Sequence, residues 1–231
     1  MTKRNGKGLD GVKACVFDAY GTLFDVHSPV GRVAARLGDQ AGAISQMWRD
    51  KQLQYTWLRS LMGAHADFWT VTGDALDYAL ERHGVSDKAL REELMQAYLT
   101  LDAYGDVAAC LGTLREAGLK TAILSNGSPR MLDAAVSSAG LGPVLDAALS
   151  IEDVGIYKPD ARVYRLAGDA LGIAPAAICF VSTNAWDASG AAHFGFQVVW
   201  LNRFKTIPER LPGRLVGTIG GLAELSNLIG R

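Results

Sequence analysis

Apolar and polar positions follow one pattern at the start of the chain, a second in its middle and a third in its latter part. Residues 12–17 (VKACVF) are apolar except for Lys13 and read as a short buried strand. Asp18 stands at the carboxyl end of that strand, and Gly21 lets the chain turn away. From about 29 to 100 no strand pattern occurs. Ile44, Met47, Trp48, Tyr55, Leu58 and Met62 recur at three- to four-residue steps, marking one face of a helix. Further helical patterns cover 68–82 and 88–101, the second with Asp87 as its N-cap. After Gly105 helices and strands alternate, with helices at 107–117, 129–139, 159–171 and 186–194. The strands of this stretch are 119–124, 145–150, 176–181 and 197–201, and 222–229 reads as a last helix.

Strands alternating with helices imply right-handed crossovers and a parallel sheet covered on both faces. The expected fold is therefore α/β: a doubly wound, Rossmannoid core with a helical cap inserted after the first core strand. Core boundaries are placed at 1–24 and 102–231, and the cap at 25–101. A chain of 231 residues is long enough to hold both. A formal net charge of -1 argues against a dedicated nucleic-acid binder, which would carry a basic surplus. No apolar run approaches the ~20 residues that span a bilayer, so no membrane partner is expected. The start, MTKRNGKG, is basic without an apolar signal core and reads as a tail. Cys15, Cys110 and Cys179 are odd in number and lack CxxC spacing, which yields neither a disulfide framework nor a zinc site. None of His27, His65, His83 and His193 shows a recognisable pairing with a cysteine, and a reduced, cytoplasmic protein is expected.

Ligand crevices of open parallel sheets lie outside the carboxyl ends of the strands. Asp18 there is a nucleophile, a metal ligand or a turn cap. Ser125 and Asn126 end a later strand before Gly127, where backbone N–H groups suit an anion, although an N-cap at Asn126 or Ser128 is the alternative. Lys158 precedes Pro159, which restricts its backbone and would start the following helix. Asp187 lies past another strand end, and a buried carboxylate there needs a partner, for which Lys158 is the natural candidate.

The stretches DAYGTLFDVHS, WRDKQLQYTWLRSLM, LSNGSPRML, YKPDARVY and VSTNAWD resemble the haloacid dehalogenase superfamily and, within it, the L-2-haloacid dehalogenases. The resemblance runs from about Val12 to about Leu201. It implies a cap that closes over the active site, a homodimer and no cofactor or metal. It also implies metal-independent hydrolysis of short-chain L-(S)-2-haloacids to D-(R)-2-hydroxy acids with inversion, through an aspartyl ester on Asp18. By the same resemblance Arg49, Asn184 and Phe68 receive the halide, and Ser125 and Asn126 hold the substrate carboxylate. Asp187 with Lys158 positions water, and Ser182 flanks the crevice. Thr22 either hydrogen-bonds Asp18 or caps its turn, and Tyr164 is either functional or core. Tyr20, Leu53 and Trp186 are apolar walls or core. From the residues alone, Arg49 is equally a surface ion-pair member and Phe68 a core residue.

Two positions separate this pattern from the superfamily's phosphatases, which carry Asp where Tyr20 and Thr183 stand. A phenol, with an ordinary pKa near 10, is a poor acid for a leaving alcohol, and magnesium prefers carboxylates. A halide needs no proton. The remaining alternatives are a phosphatase and a non-catalytic protein that binds small anions.

Overall fold

The computed structural model describes Leu9 to Ile229; the basic start expected to be a tail lies outside the described residues. Strand β1 (Ala14–Phe17) is buried at every position, as a central strand covered on both faces must be. Beyond it every regular element up to residue 116 is helical: α1 (Ser28–Arg32), α2 (Ala34–Leu37), α3 (Ala41–Met62), α4 (Phe68–Arg82), α5 (Lys88–Ala97) and α6 (Val107–Glu116). Asp67 and Asp87 cap α4 and α5, accepting from Thr70 N at 3.0 Å and Leu90 N at 2.9 Å. The last stretch of the 88–101 pattern is a 3₁₀ turn, Tyr98–Thr100, so α5 is shorter than its periodicity suggests.

Helix α3 corrects the expected stripe. Its buried line is Ile44, Trp48, Gln52 and Thr56, spaced one turn apart and changing from apolar to polar along the helix. Leu58 and Met62 instead stand 44% and 68% exposed, because they lie off that line around the helix.

The alternating part comprises β2 (Lys120–Ser125), α7 (Pro129–Ser138), β3 (Ala147–Ser150), α8 (Ala161–Leu171), β4 (Ile178–Ser182), α9 (Ala185–Phe194), β5 (Gln197–Leu201) and β6 (Gly217–Ile219). All pairings are parallel, in the order β3-β2-β1-β4-β5-β6. This is a doubly wound sheet whose strand order reverses beside β1. Its register sets Phe17 against Ile123 and Val181, so the residues after these strands meet at one edge.

Two expectations change, and one strand was not expected. Pro159 does not begin α8, since Asp160 caps the helix by accepting from Arg162 N at 2.9 Å. Strand β6 carries no clear pattern, because only Ile219 of its three residues is buried. The final segment is a 3₁₀ helix, Leu222–Asn227, rather than a longer α-helix. Leu222 and Leu225 are both buried, and a three-residue turn puts them on one side.

Candidate active site

Asp18 follows β1, and its backbone N–H extends the strand pairing by donating to Val181 O at 3.0 Å. The chain then folds back on itself, with the N–H groups of Thr22, Leu23 and Phe24 all directed at Ala19 O. Gly21 makes this turn at φ +90°, a region closed to most side chains. The turn returns Thr22 to Asp18, and its hydroxyl donates to Asp18 Oδ2 at 3.0 Å while accepting from Thr183 N at 2.9 Å. Asn184 Nδ2 donates to the same Oδ2 at 2.8 Å and to Tyr20 O at 3.1 Å. The other oxygen, Oδ1, accepts from Lys158 Nζ at 3.2 Å.

Lys158 is 1% exposed and bridges two carboxylates, reaching Asp187 Oδ2 at 2.9 Å. Its ammonium lies 5.0 Å from the Phe180 ring centre. Burial alone would lower its pKa, but Asp18 and Asp187 outweigh burial and raise it, so the ammonium stays charged. Asp187 is completely buried, and burial raises its carboxyl to about 6, with Lys158 opposing and Asp18 adding to the rise. Tyr164 donates to Asp187 Oδ1 at 2.8 Å, and burial followed by the Asp187 charge keeps that phenol protonated well above its usual range. Tyr164 is thus both buried and joined to the ionic cluster.

The helix carrying Asp187 reaches this position because Gly190 has no side chain. A Cβ there would lie 2.6 Å from Tyr164 Oη and 2.7 Å from Pro159 Cβ. Gly190→Ala is expected to destabilise the protein by about 1–3 kcal/mol through overpacking, read from its urea unfolding midpoint. An unchanged midpoint would contradict this close packing.

Arg49 comes from α3 and is not a surface ion pair. Its Nη1 donates to Gln52 Oε1 at 2.7 Å, and its Nη2 to Tyr20 O at 3.1 Å and Asn184 Oδ1 at 3.3 Å. All three acceptors are neutral. Phe68, the first residue of α4, is buried against Tyr20, with ring centres 5.5 Å apart. Tyr20 in turn stacks on Tyr98 at 5.6 Å. Leu53 and Trp186 are half-buried, and Trp186 meets Trp57 of α3 edge to face at 5.3 Å.

Ser125 and Asn126 are buried at the end of β2. Ser125 Oγ accepts from Gly127 N at 3.0 Å, and Asn126 Oδ1 accepts from Lys158 N at 3.2 Å. Neither caps α7, whose N-cap position is Ser128 without a side-chain bond. Ser182 shapes its own loop by accepting from Asn184 N at 3.1 Å and has no direct bond to Asp18 among the described residues. The structure thus joins Asp18, Thr22, Lys158, Asp187, Tyr164, Asn184 and Arg49 in one hydrogen-bonded network.

The pattern reading missed the residues that hold the helices to the sheet edge. Glu152, past β3, accepts from Phe68 N at 3.2 Å and pairs with His65 Nε2 at 2.8 Å. Tyr157 donates to Ala66 O at 2.6 Å. Gln52 was missed too, since a glutamine within a helical pattern reads as surface.

A family model described as haloacid dehalogenase-like hydrolase matches residues 12–195. Among curated proteins, (S)-2-haloacid dehalogenase 4A of Burkholderia cepacia is 48% identical over 96% of this chain and 97% of its own. A crystal structure of a dehalogenase with an intermediate complex superposes with a TM-score of 0.94 at 48% identity, covering 96% of this chain and 99% of that one. The L-2-haloacid dehalogenase of Xanthobacter autotrophicus, solved with chloropropionic acid covalently bound, superposes with a TM-score of 0.88 at 38% identity, covering 94% and 98%.

Proposed function

The chain belongs to the haloacid dehalogenase-like hydrolases, and within them we propose that it hydrolyses short L-(S)-2-haloalkanoic acids to D-(R)-2-hydroxy acids and halide. The observation that carries this reading is the Asp18 carboxylate, steadied by Lys158 and two neutral donors at the strand edge. Asp18 attacks C2 from the side opposite the halogen, forming a C–O bond as the C–X electron pair leaves with the halide. The carbon inverts and an aspartyl ester forms. Asp187, more basic than an ordinary carboxylate because it is buried, takes a proton from water as the oxygen adds to Asp18 Cγ. Collapse expels the product oxygen, which recovers a proton from Asp187, and the regenerated Asp18 releases one proton to solvent.

Arg49 receives the departing halide with Asn184 and Phe68. The backbone N–H groups and side chains of Ser125 and Asn126 hold the substrate carboxylate. Tyr20, Leu53 and Trp186 form the apolar walls, and Ser182 keeps Asn184 in place. Residues 25–101 act as the cap over a core of 1–24 and 102–231. A homodimer is supported by the exposed Leu58, Leu61 and Met62 of α3, and a reducing cytoplasm by three free, buried cysteines.

The magnesium of the superfamily's phosphatases does not fit this donor set. Lys158 Nζ stands between Asp18 and Asp187 at 3.2 Å and 2.9 Å, and Thr183 brings a hydroxyl in place of a carboxylate. Metal independence is therefore part of the proposal. The test is halide release from each enantiomer of 2-chloropropionate after exhaustive chelation, beside a phosphate ester with and without magnesium. Halide from the S enantiomer, undiminished by chelation, is expected. Magnesium-dependent phosphate release without halide would end the reading.

A further inference from the structure

Arg49 donates to three neutral oxygens, and one of them belongs to a buried side chain with no role in the scheme above. Gln52 is 1% exposed, one turn along α3 from Trp48. Its neighbours dictate which way its amide faces. The single proton of the Thr72 hydroxyl goes to Phe68 O at 2.6 Å, so Thr72 Oγ1 has only acceptor capacity left for Gln52 Nε2 at 2.8 Å. The amide nitrogen therefore turns toward Thr72 and, at 3.0 Å, the Tyr98 hydroxyl. The oxygen turns toward Arg49 Nη1 at 2.7 Å. A chain of hydrogen bonds thus runs from Phe68 O through Thr72 and Gln52 to the guanidinium, and Arg49 and Phe68 belong to the same halide cradle.

We propose that Gln52 is a positioning residue that aims the Arg49 guanidinium at the departing halide while leaving its charge unshared. This inference rests on the dehalogenase reading above. The amide type matters for two physical reasons. A carboxylate at the same place would fix Arg49 equally well, but it would neutralise the cation and face the developing halide with a like charge. An apolar side chain would leave Arg49 free to rotate, and a guanidinium acts through the fixed geometry of its donors. The neutral oxygen supplies orientation alone. Because chloride accepts hydrogen bonds more strongly than bromide, misaiming the donor penalises chloride departure more.

The experiment compares single-turnover halide release from (S)-2-chloropropionate and (S)-2-bromopropionate in the wild type, Gln52→Met and Gln52→Glu. Gln52→Met should slow chloride release about ten- to a hundred-fold, the range spanned by one hydrogen bond to a charged group. Bromide release should slow less, so the bromide-to-chloride rate ratio rises, with KM changed by less than about three-fold. Gln52→Glu should slow both more than Met does and raise the same ratio. If Gln52→Met fails to fold, Thr72→Val, nearly the same shape, decides in its place, with the same rise in ratio expected at smaller amplitude. An unchanged ratio in the folded variants, whether rates fall or hold, overturns the inference and returns Gln52 to ordinary packing. A wild type that releases no halide overturns the dehalogenase reading instead.

Discussion

Asp18→Ala is expected to lose at least about ten-thousand-fold in halide release, the scale of removing a covalent nucleophile. Its position alone does not separate two routes to the same hydroxy acid, attack by Asp18 on carbon and activation by Asp18 of a water that attacks carbon. The geometry favours the first. A carboxylate held at both oxygens by Lys158, Thr22 and Asn184 is aligned without ordering a third body. The routes send solvent oxygen to different places. With excess enzyme and one turnover in heavy-oxygen water, nucleophilic attack puts the label into the Asp18 carboxylate and leaves the first hydroxy acid unlabelled. Mass spectrometry of the peptide spanning Asp18 reads the outcome. Label confined to the hydroxy acid would end the covalent mechanism.

Lys158→Met should cost about a thousand-fold in turnover at neutral pH. A cation and a carboxylate 4 Å apart interact by about 4 kcal/mol at an effective dielectric near 20, and here two carboxylates depend on one cation. The pH dependence gives the sharper signature. Burial raises Asp187 to about 6, and Lys158 is the main influence holding it down. A raised carboxyl is protonated, and so idle as a base, below its pKa. Ester hydrolysis in the wild type should therefore fall on the acid side, with a midpoint no higher than the value of about 6 that holds while Asp18 is ionised, since the ester removes that like charge. Without Lys158 the main influence lowering the Asp187 carboxyl is gone, the carboxyl rises further, and the acid limb moves to higher pH. A variant whose rate falls equally at every pH would show that Lys158 acts by some route other than charge.

The strands and the turn after β1 were legible because both have short-range causes. An apolar run followed by Asp18 and Gly21 states its own strand and turn, whereas Lys158 lies on the loop before α8 and Asp187 in the first turn of α9. Residues whose meaning depends on distant partners were opaque. Gln52 counts as polar on any helical projection, and its burial is made tolerable by Thr72 and Tyr98, brought from α4 and the turn after α5, together with Arg49. The exposed Leu58 and Met62 fail in the opposite direction, since periodicity marks a face without saying whether anything covers it. Strand β6 owes its existence to a free edge on β5, which no local pattern encodes.

The central place of β1 also has a consequence for how the protein is made. Its first neighbour, β2, begins at Lys120 and its second, β4, at Ile178. During synthesis β4 emerges roughly 160 residues after β1, a delay on the order of ten to thirty seconds at about 5–20 residues per second. Until β2 follows, about 100 residues later, β1 has no strand to pair with, and its other side stays open until β4 emerges. Asp18 is thus made long before the second of the two strands that flank β1.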